Sequence, residues 1–291
     1  MAHKAGFVNI IGNPNVGKST LMNQLVGERL SIITSKAQTT RHRIMGIVND
    51  PAYQVVFSDT PGVLKPHYKL HENMMQFVND AMKDADVFLF VTDIFEDTLN
   101  HPETLERLKK TKTPVLLLIN KIDLGDQKRA EDKANYWHEQ LPNAEILPIS
   151  ALEKFNLDPI WKRILELLPE SPPYFDKEEI TDRPLRFFVS EIIREKIFQQ
   201  YSKEIPYSTQ VEIESYEEGP KFDRIRAVIY VERDSQKGII IGHKGVKLKH
   251  IGIEARKDIE KFISKQIHLE LYVKVDDNWR QSEKRLRSFG Y

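Results

Sequence analysis

The first 170 residues alternate between short, nearly continuous apolar runs and longer amphipathic stretches, and most runs end at a polar or glycine-rich segment. Continuous apolar strands separated by helices are typical of a parallel sheet that is covered on both faces. We therefore predict an α/β domain over residues 1–170, with a mostly parallel sheet and helices on both faces. The predicted strands are 7–11, 44–48, 53–57, 87–91, 115–119 and 146–149.

From residue 184 the pattern changes to amphipathic helices and alternating strands. It predicts an α+β domain over 184–291 with the order helix, strand, strand, helix, helix, strand. The predicted elements are a helix at 188–201, strands at 208–216 and 224–232, a helical turn near 238–241, a helix to about 265 and a strand at 269–273. Residues 171–183 are acidic and proline-rich without periodicity, which predicts a partly extended linker.

The 43 basic and 43 acidic side chains cancel, so a nucleic-acid surface requires a local excess of charge. The sequence has no cysteine, which excludes disulfides and Cys-ligated zinc and suits a reducing compartment. The nine histidines show no metal-ligand spacing, and no apolar run approaches about 18 residues. Because the first strand begins almost at once, we expect no signal peptide and no membrane span, and we expect a cytoplasmic protein.

A glycine-rich motif lies between the first predicted strand and a predicted helix, in the sequence Gly12-Asn13-Pro14-Asn15-Val16-Gly17-Lys18-Ser19. In this strand–loop–helix context the backbone N–H groups can cradle phosphate oxygens, and the lysine can reach the outer phosphates. The serine hydroxyl can reach the accompanying Mg²⁺. A glycine-rich turn that binds nothing is the alternative, and the flanking elements count against it. The predicted nucleotide-binding residues here are Asn13, Pro14, Asn15, Val16, Gly17, Lys18, Ser19 and Thr20.

Two later segments predict contacts with the metal and the terminal phosphate. A threonine in the polar loop 31–43 can complete the Mg²⁺ shell, and we favour Thr40 over Thr39, although the sequence does not separate the two. Asp59 ends a predicted strand and can hold the metal through water, and Gly62 can offer its N–H to the γ-phosphate. The predicted metal ligands are thus Ser19, Thr40 and Asp59, and the predicted catalytic residues are Lys18, Thr40 and Gly62.

The motif Asn120-Lys121-Ile122-Asp123 follows another predicted strand and points to recognition of a base. Asp123 can accept two hydrogen bonds from guanine, whereas adenine lacks that pair of donors. Lys121 would lie along the base, Asn120 would tie the loops together, and the backbone of Ser150, Ala151 and Leu152 could meet the guanine carbonyl.

Together the five motifs resemble the GTPase (G) domain of the translation-factor-like P-loop class over about residues 5–170. The resemblance implies that the domain binds GTP and GDP with Mg²⁺ and hydrolyses GTP slowly by itself. The alternative is a domain of the same fold that binds ATP or has no activity. Val63 stands where many switch GTPases carry a glutamine that orients the attacking water. Related GTPases that combine an apolar residue there with a P-loop asparagine use K⁺, which gives the hypothesis that Asn15 helps to bind K⁺. The alternative is that Asn15 only stabilises its loop.

The tetrapeptide Gly242-His243-Lys244-Gly245 lies between the last two predicted helices. With the order of elements it resembles a type II KH fold, which implies that the turn clamps single-stranded RNA. Residues 233–268 carry nine basic and four acidic side chains, a net charge of +5. The predicted RNA-binding residues are Ile241, Gly242, His243, Lys244, Gly245 and Lys247, with Ile240, Ile241 and Val246 as an apolar floor for bases. The alternative is a domain that only packs against the first.

A G domain followed by one KH domain resembles the Era family of ribosome-assembly GTPases. The resemblance implies a role in small-subunit assembly, binding of the three-prime end region of small-subunit ribosomal RNA, and peripheral contact with the inner face of the cell membrane. We expect a monomer, in which GTP orders the loops around Thr40 and Asp59 and favours RNA binding. A GTPase acting on another RNA and a GTP-independent RNA-binding module are the alternatives. The sequence of the tail, residues 278–291, is compatible with two alternatives, an extension of the RNA surface and a solvated helix, and it does not separate them.

Overall fold

The computed structural model describes residues 2–96 and 98–291. The chain divides into two compact units. The first holds residues up to His67 together with His71–Asp182, and the second holds Tyr68–Leu70 and Arg183–Tyr291. In the part of the chain that the structure describes, no helix is both long and apolar enough to cross a membrane.

The first unit is built on a six-stranded sheet with the order β2-β3-β1-β4-β5-β6. Its strands are β1 Lys4–Ile11, β2 Ile44–Asn49, β3 Tyr53–Asp59, β4 Val87–Asp93, β5 Val115–Asn120 and β6 Glu145–Pro148. Within this sheet, β2 runs antiparallel to its neighbour and the other described strands run parallel. The helices are α1 Lys18–Val26, α2 Lys69–Asp84, α3 Pro102–Lys110, α4 Gln127–Gln140 and α5 Leu157–Leu167. The prediction of a mostly parallel α/β sheet is confirmed.

The apolar runs become the centre of the sheet. Every residue of β4 and β5 is buried, because helices cover both faces. On one face Phe90 of β4 meets the fully buried Trp137 of α4 edge to face, with ring centroids 5.1 Å apart. In register, Ile10 lies beside Asp59 and Asp93 lies beside Asn120, so the carboxyl ends of four parallel strands meet at one edge. The predicted motifs therefore converge at that edge.

The second unit has a three-stranded sheet with the order β7-β8-β9 and helices packed against it. Its elements are α6 Leu185–Gln200, β7 Gln210–Glu217, β8 Asp223–Val231, α7 Asp234–Ile241, α8 Val246–Ile263, β9 Ile267–Val275 and α9 Glu283–Ser288. Strands β7 and β8 are antiparallel, and β8 and β9 are parallel. The predicted order of elements is confirmed. The core between α6, α8 and the sheet is largely aliphatic.

The C-terminal tail belongs to the core of the second unit. Trp279 is fully buried and its indole N–H donates to the Ser208 carbonyl oxygen at 3.0 Å, and Leu286 of α9 is also fully buried. Arg285 forms an ion pair with Asp276. Of the two alternatives for this tail, the structure shows a terminal helix that is solvated on one side, with Glu283, Lys284 and Arg287 exposed, while Leu286 and the preceding Trp279 pack inward.

Residues 171–182, which the sequence predicts as part of a linker, lie extended along the first unit. We call this segment the strap. Its Thr181 forms an antiparallel bridge with Gly46 of β2, and its Ile180 carbonyl oxygen accepts from the Ile47 N–H at 2.9 Å. The strap is extended, as its prolines predict, and it is hydrogen-bonded to the edge strand β2.

Candidate nucleotide site and nucleic-acid groove

A cavity of about 460 Å³ opens at the carboxyl edge of the first sheet. Most of the predicted nucleotide-binding residues line it, as do Ile32, Ile33 and Leu124, which the sequence analysis did not select. The predicted residues on its wall are Pro14, Asn15, Gly17, Lys18, Ser19, Thr20, Thr40, Gly62, Asn120, Lys121, Asp123, Ser150, Ala151 and Leu152. Asn13, Val16 and Asp59 are buried behind this wall.

Lys18 is held by the main chain of its own loop. Its ammonium donates to the Gly12 carbonyl oxygen at 3.1 Å and to the Asn13 carbonyl oxygen at 2.7 Å. Burial lowers the pKa of Lys18 to about 8, although the nearby carboxylates of Asp59 and Glu96 act in the opposite direction. A buried, weakly solvated cation at the start of α1 is suited to bind phosphate oxygens.

Three predicted metal ligands lie together in the structure. The Ser19 hydroxyl is 2.6 Å from Asp59 Oδ2 and 2.9 Å from Thr40 Oγ1, and Thr40 Oγ1 is 3.4 Å from the same carboxylate oxygen. Thr39 also lines the cavity, but its hydroxyl donates to the Lys36 carbonyl oxygen at 2.6 Å. The geometry therefore favours Thr40 over Thr39.

The donor set of this cluster fits Mg²⁺. Asp59 is fully buried, and burial raises the pKa of its carboxyl group despite the hydrogen bond from Ser19 and the charge of Lys18. Among the described residues, its second oxygen, Oδ1, accepts no well-formed hydrogen bond. A buried carboxylate oxygen without a partner, next to two hydroxyls, offers the hard oxygen ligands that Mg²⁺ prefers.

Gly62 brings the loop after β3 against the P-loop. A Cβ atom at this position would lie 2.7 Å from the main chain of Pro14, so only glycine allows this approach. The next residue, Val63, donates its N–H to the Gly12 carbonyl oxygen at 3.0 Å, and its side chain is fully buried in the apolar core. Val63 therefore presents no polar group to the cavity.

Asn120 connects the loops at the base end of the cavity. Its side chain donates to the Val16 carbonyl oxygen at 2.8 Å and accepts from the Ala151 N–H at 2.9 Å. Lys121 has a left-handed backbone with φ 62°, and its ammonium forms an ion pair with Asp93 at 2.6 Å. Asp123 lies in an exposed turn on the cavity wall, where its carboxylate can meet a base.

Two acidic residues were not selected from the sequence: Asp93, the last residue of β4, and Glu96 in the loop after it. Asp93 fixes Lys121, and Glu96 accepts from the Thr92 hydroxyl at 3.0 Å in the loop beside the P-loop. Burial raises the pKa of Glu96 to about 7, while hydrogen bonds from Asn13 and Thr92 oppose this effect. The position of Asp93 at the end of a buried strand could have suggested a role, since the other strand ends carry the motifs.

The side chain of Asn13, a residue predicted to bind the nucleotide, bonds to the loop after β4. The amide donates to the Thr98 carbonyl oxygen at 2.8 Å and accepts from the Asn100 N–H at 2.9 Å. These bonds attach the loop after β4 to the P-loop. The side chain of Asn13 is thus committed to protein contacts, and its main-chain carbonyl holds Lys18.

In the second unit the G-x-x-G turn separates α7 from α8. Gly242 has φ +70°, and a Cβ atom there would lie 2.7 Å from the Lys247 side chain, so the turn requires glycine. Lys244 is exposed, and Ile241, His243 and Lys247 have partly exposed or exposed side chains around it. The turn presents its backbone and its cationic side chains to solvent.

A groove beside this turn is formed by α8 and β9. Its wall is apolar with a basic rim, and the lining residues are Gly245, Leu248, Lys249, Gly252, Ile253, Arg256, Ile267, His268, Leu269 and Leu271. The predicted floor is wrong at Ile240, which is fully buried in the core, and Val246 is 65% exposed outside the groove. The sequence did not reveal this groove because four of its lining residues come from β9, although the i, i+4 spacing of Leu248 and Gly252 on α8 was visible.

These features define a class of protein, a P-loop GTPase fold joined to a KH fold. Family models agree: residues 7–121 match the family described as 50S ribosome-binding GTPase, and residues 204–280 match the KH domain. The chain is 45% identical to the GTPase Era of Alkaliphilus metalliredigens over the full length of both proteins. It is 43% identical to the GTPase Era of Staphylococcus haemolyticus, covering 99% of this chain and 97% of that protein.

Solved structures give the same result. A crystal structure of Era in complex with MgGDPNP and nucleotides 1506–1542 of 16S ribosomal RNA is 41% identical, with 99% of each chain covered and a TM-score of 0.95. An Aquifex aeolicus Era variant bound to GDP·AlF4⁻ has a TM-score of 0.93 at 41% identity, again with 99% of each chain covered. The chain belongs to the Era family of GTPases.

Proposed function

We propose that this GTPase acts in assembly of the small ribosomal subunit by binding the three-prime end region of its ribosomal RNA. The observation that carries the proposal is the likeness over 99% of the chain to an Era structure that contains both MgGDPNP and a 16S ribosomal RNA fragment. The groove between α8 and β9, next to a glycine turn with exposed lysines, is the surface that would take single-stranded RNA.

In the nucleotide site each residue has a proposed role. Ser19 and Thr40 would hold Mg²⁺ directly and Asp59 would hold it through water, since their oxygens already lie together. When bound, Mg²⁺ neutralises charge on the β- and γ-phosphate oxygens. Lys18 would bind the same oxygens with its ammonium, and the Gly62 N–H would donate to the γ-phosphate.

Guanine recognition would rest on Asp123, whose carboxylate can accept from the ring N–H and the exocyclic amine. Lys121, fixed by Asp93 at 2.6 Å, would cover one face of the base. The Ala151 N–H already donates to Asn120, so Asn120 would act by positioning the loop of Ser150, Ala151 and Leu152. An adenine base would leave the Asp123 carboxylate without its paired donors.

Asn15 would help to bind K⁺. It lies on the cavity wall, exposed, with φ 66°, and Val63 offers no polar group for the attacking water. A monovalent cation near Asn15 could supply the positive charge that other GTPases obtain from an arginine. Turnover should therefore be faster in potassium than in sodium buffer, and equal rates would contradict this role.

For the RNA site the proposed residues are those at the turn and the groove. Gly242 and Gly245 would let the sugar-phosphate backbone approach, and His243, Lys244 and Lys247 would contact phosphates. Ile241 lies beside the turn, and Leu248, Ile253 and Leu271 would form the apolar surface on which bases lie.

We further propose that the GTP-bound state favours RNA binding, and that the protein is a cytoplasmic monomer with peripheral contact at the inner face of the cell membrane. The coupling is supported by the cluster of Ser19, Thr40 and Asp59, which needs the loop 31–43 in place. Location and oligomeric state are supported by the family resemblance. Cell fractionation and size-exclusion chromatography test them.

A binding titration tests the RNA assignment. The full chain with GDPNP and Mg²⁺ is titrated with an oligonucleotide of the small-subunit RNA three-prime end, and with a scrambled oligonucleotide of equal composition. We expect at least about tenfold tighter binding of the native sequence, since bases are read in a KH groove. Equal affinity would favour the second candidate, a GTPase that acts on another RNA.

A further inference from the structure

The strap is attached to the first unit at its C-terminal end through strand β2, the edge strand of the sheet. The Ile180 carbonyl oxygen accepts from the Ile47 N–H at 2.9 Å, and the Asp182 carboxylate accepts from the Met45 N–H at 3.0 Å. With the Thr181 bridge, these bonds add the strap as a short antiparallel partner to β2. The otherwise open edge of the sheet is thereby paired.

A buried amide fixes the middle of the strap. Gln54 of β3 is fully buried; its Oε1 accepts from the Tyr174 and Phe175 N–H groups at 2.7 and 3.0 Å, and its Nε2 donates to the Phe175 carbonyl oxygen at 2.9 Å. The Tyr174 ring also packs on Phe7, with centroids 5.0 Å apart. Gln54 thus satisfies the backbone in the middle of the strap, and the Asn49 side chain donates to the Glu179 carbonyl oxygen at 2.9 Å nearer its end, although most of the strap's own side chains are exposed.

The hairpin of β2 and β3 that carries the strap also carries the nucleotide cluster. Thr40 lies shortly before β2 begins at Ile44, and β3 ends at Asp59. Between Thr40 and β2, Arg43 donates to Ser58 at 2.6 Å and to Asp84 at the end of α2 at 2.6 Å. A shift of Thr40 and Asp59 is therefore a shift at the open end of this cross-connected hairpin, where Ile44 pairs with Asp59.

The same C-terminal end of the strap leads directly into the second unit. Asp182 is its last residue, and only Arg183 and Pro184 separate it from α6, which begins at Leu185. So short a connection leaves little slack for the chain. A displacement of the hairpin at Met45 must therefore be taken up at the start of α6.

We propose that the strap is the coupling element through which the nucleotide state, sensed at Thr40 and Asp59, regulates RNA binding by the second unit. This inference rests on the proposed GTP-dependent RNA binding and assigns its route. Coupling between distant sites requires one element with two arrangements that both ligands bias. Here the element would be the hairpin with its strap, and the ligands would be the nucleotide and the RNA.

The test compares RNA affinity in the two nucleotide states for the full chain and for Gln54→Ala. The quantity is the ratio of dissociation constants with GDP and with GDPNP, for the three-prime end oligonucleotide. In the native chain we expect a ratio on the order of tenfold. In Gln54→Ala, which releases Tyr174 and Phe175, we expect a ratio of about one with unchanged nucleotide affinity. The matched control is Glu178→Ala, an exposed strap side chain that should keep the native ratio.

Two further measurements keep the inference testable. If Gln54→Ala fails to fold, Asp182→Ala takes its place. It removes the acceptor of the Met45 N–H at an exposed position, and it should lower the ratio of the RNA dissociation constants with GDP and with GDPNP. Hydrogen exchange at Ile47 and Phe175 reports whether the strap is released. A released strap with the native ratio overturns the inference and leaves GTP-dependent binding standing. A ratio of one in the native chain overturns both the proposed coupling and its route.

Discussion

The Thr40 hydroxyl lies 2.9 Å from the Ser19 hydroxyl, and both face the same oxygen of Asp59. These three residues come from the loop before β2, from α1 and from the end of β3. They meet because parallel strands end at one edge, and because Arg43 fixes the chain just after Thr40. The Thr40 hydroxyl therefore connects the loop 31–43 to Ser19 and Asp59 at the nucleotide cavity.

We predict that Thr40→Ala weakens Mg²⁺ binding in the GDPNP state by at least about tenfold and slows GTP turnover, because one oxygen ligand is lost. Isothermal titration and steady-state phosphate release measure the two effects. Thr39→Ala is the matched control, since its hydroxyl bonds to Lys36 within the loop. A larger loss of Mg²⁺ affinity in Thr39→Ala than in Thr40→Ala would contradict the assignment.

The two activities should separate by mutation. Lys18→Ala removes the buried ammonium from the P-loop and should abolish binding of a fluorescent GDP analogue, while RNA binding without nucleotide stays within about twofold of the native value. Gly242→Asp with Lys244→Asp should do the reverse, because a side chain at φ +70° strains the turn and its charge repels phosphate. Loss of both activities from either change would refute the division of labour.

Glu96 predicts a pH dependence of stability. Its pKa is about 7 in the folded chain, above the ordinary value of 4.5, so between these values the folded state holds a proton that the unfolded state has lost. The stability that this proton contributes is complete below the ordinary value and is lost as the pH rises through about 7. Glu96→Gln cannot ionise and should lack this decline.

The measurement is the difference in thermal unfolding midpoint between the native chain and Glu96→Gln, followed from about pH 4.5 to about pH 8. We expect the native chain to lose stability relative to the variant across this range. Glu103→Gln, at an exposed position of α3, is the control and should stay parallel to the native chain. A constant difference for Glu96→Gln would show that the carboxyl group titrates normally.

A buried ion pair on α6 predicts a large stability effect in the second unit. Arg194 and Glu191 have side chains only 1% and 7% exposed, and Arg194 Nε donates to Glu191 Oε1 at 2.7 Å. Glu191→Ala leaves a buried guanidinium without this partner and should cost about 3–5 kcal/mol of unfolding free energy. Urea denaturation, followed by Trp279 fluorescence in a chain without the other two tryptophans, measures the loss.

The control is Glu204→Ala, at an exposed position after α6, which should change the unfolding free energy by less than about 0.5 kcal/mol. Replacing both partners, Glu191→Met with Arg194→Met, should restore most of the loss because no buried charge remains at these two positions. A small cost for Glu191→Ala alone would mean that other groups satisfy Arg194.

The sequence was sufficient for the nucleotide motifs because each is a contiguous segment at the end of a buried strand. The prediction that Lys18, Asp59 and Asp123 lie at one site follows from the rule that the carboxyl ends of parallel strands meet at one edge of a sheet. Asp93 also ends a parallel strand, but it was not selected because no recognisable motif surrounds this single acidic residue. The choice between Thr39 and Thr40 depended on hydrogen bonds within one loop, which no periodicity encodes.

The floor of the groove between α8 and β9 and the attachment of the strap could not be predicted from the sequence, because each joins segments that are distant in the chain. The floor joins Leu248 of α8 with Leu271 of β9, and this pairing exists only once the sheet of the second unit has formed. The strap is held by backbone groups and by Gln54, which lies 120 residues before Tyr174 in the chain. Backbone hydrogen bonds between distant segments carry no side-chain pattern, so Gln54 resembled an ordinary strand residue.

GTP-controlled RNA binding is tested most directly by recovering RNA crosslinked in cells to the protein held with a non-hydrolysable GTP analogue or with GDP. We expect enrichment of the three-prime end of the small-subunit ribosomal RNA in the analogue-bound form and little of it in the GDP form. Equal recovery in both forms would contradict a GTP-controlled RNA grip. Enrichment of an unrelated RNA would contradict the proposed role in small-subunit assembly.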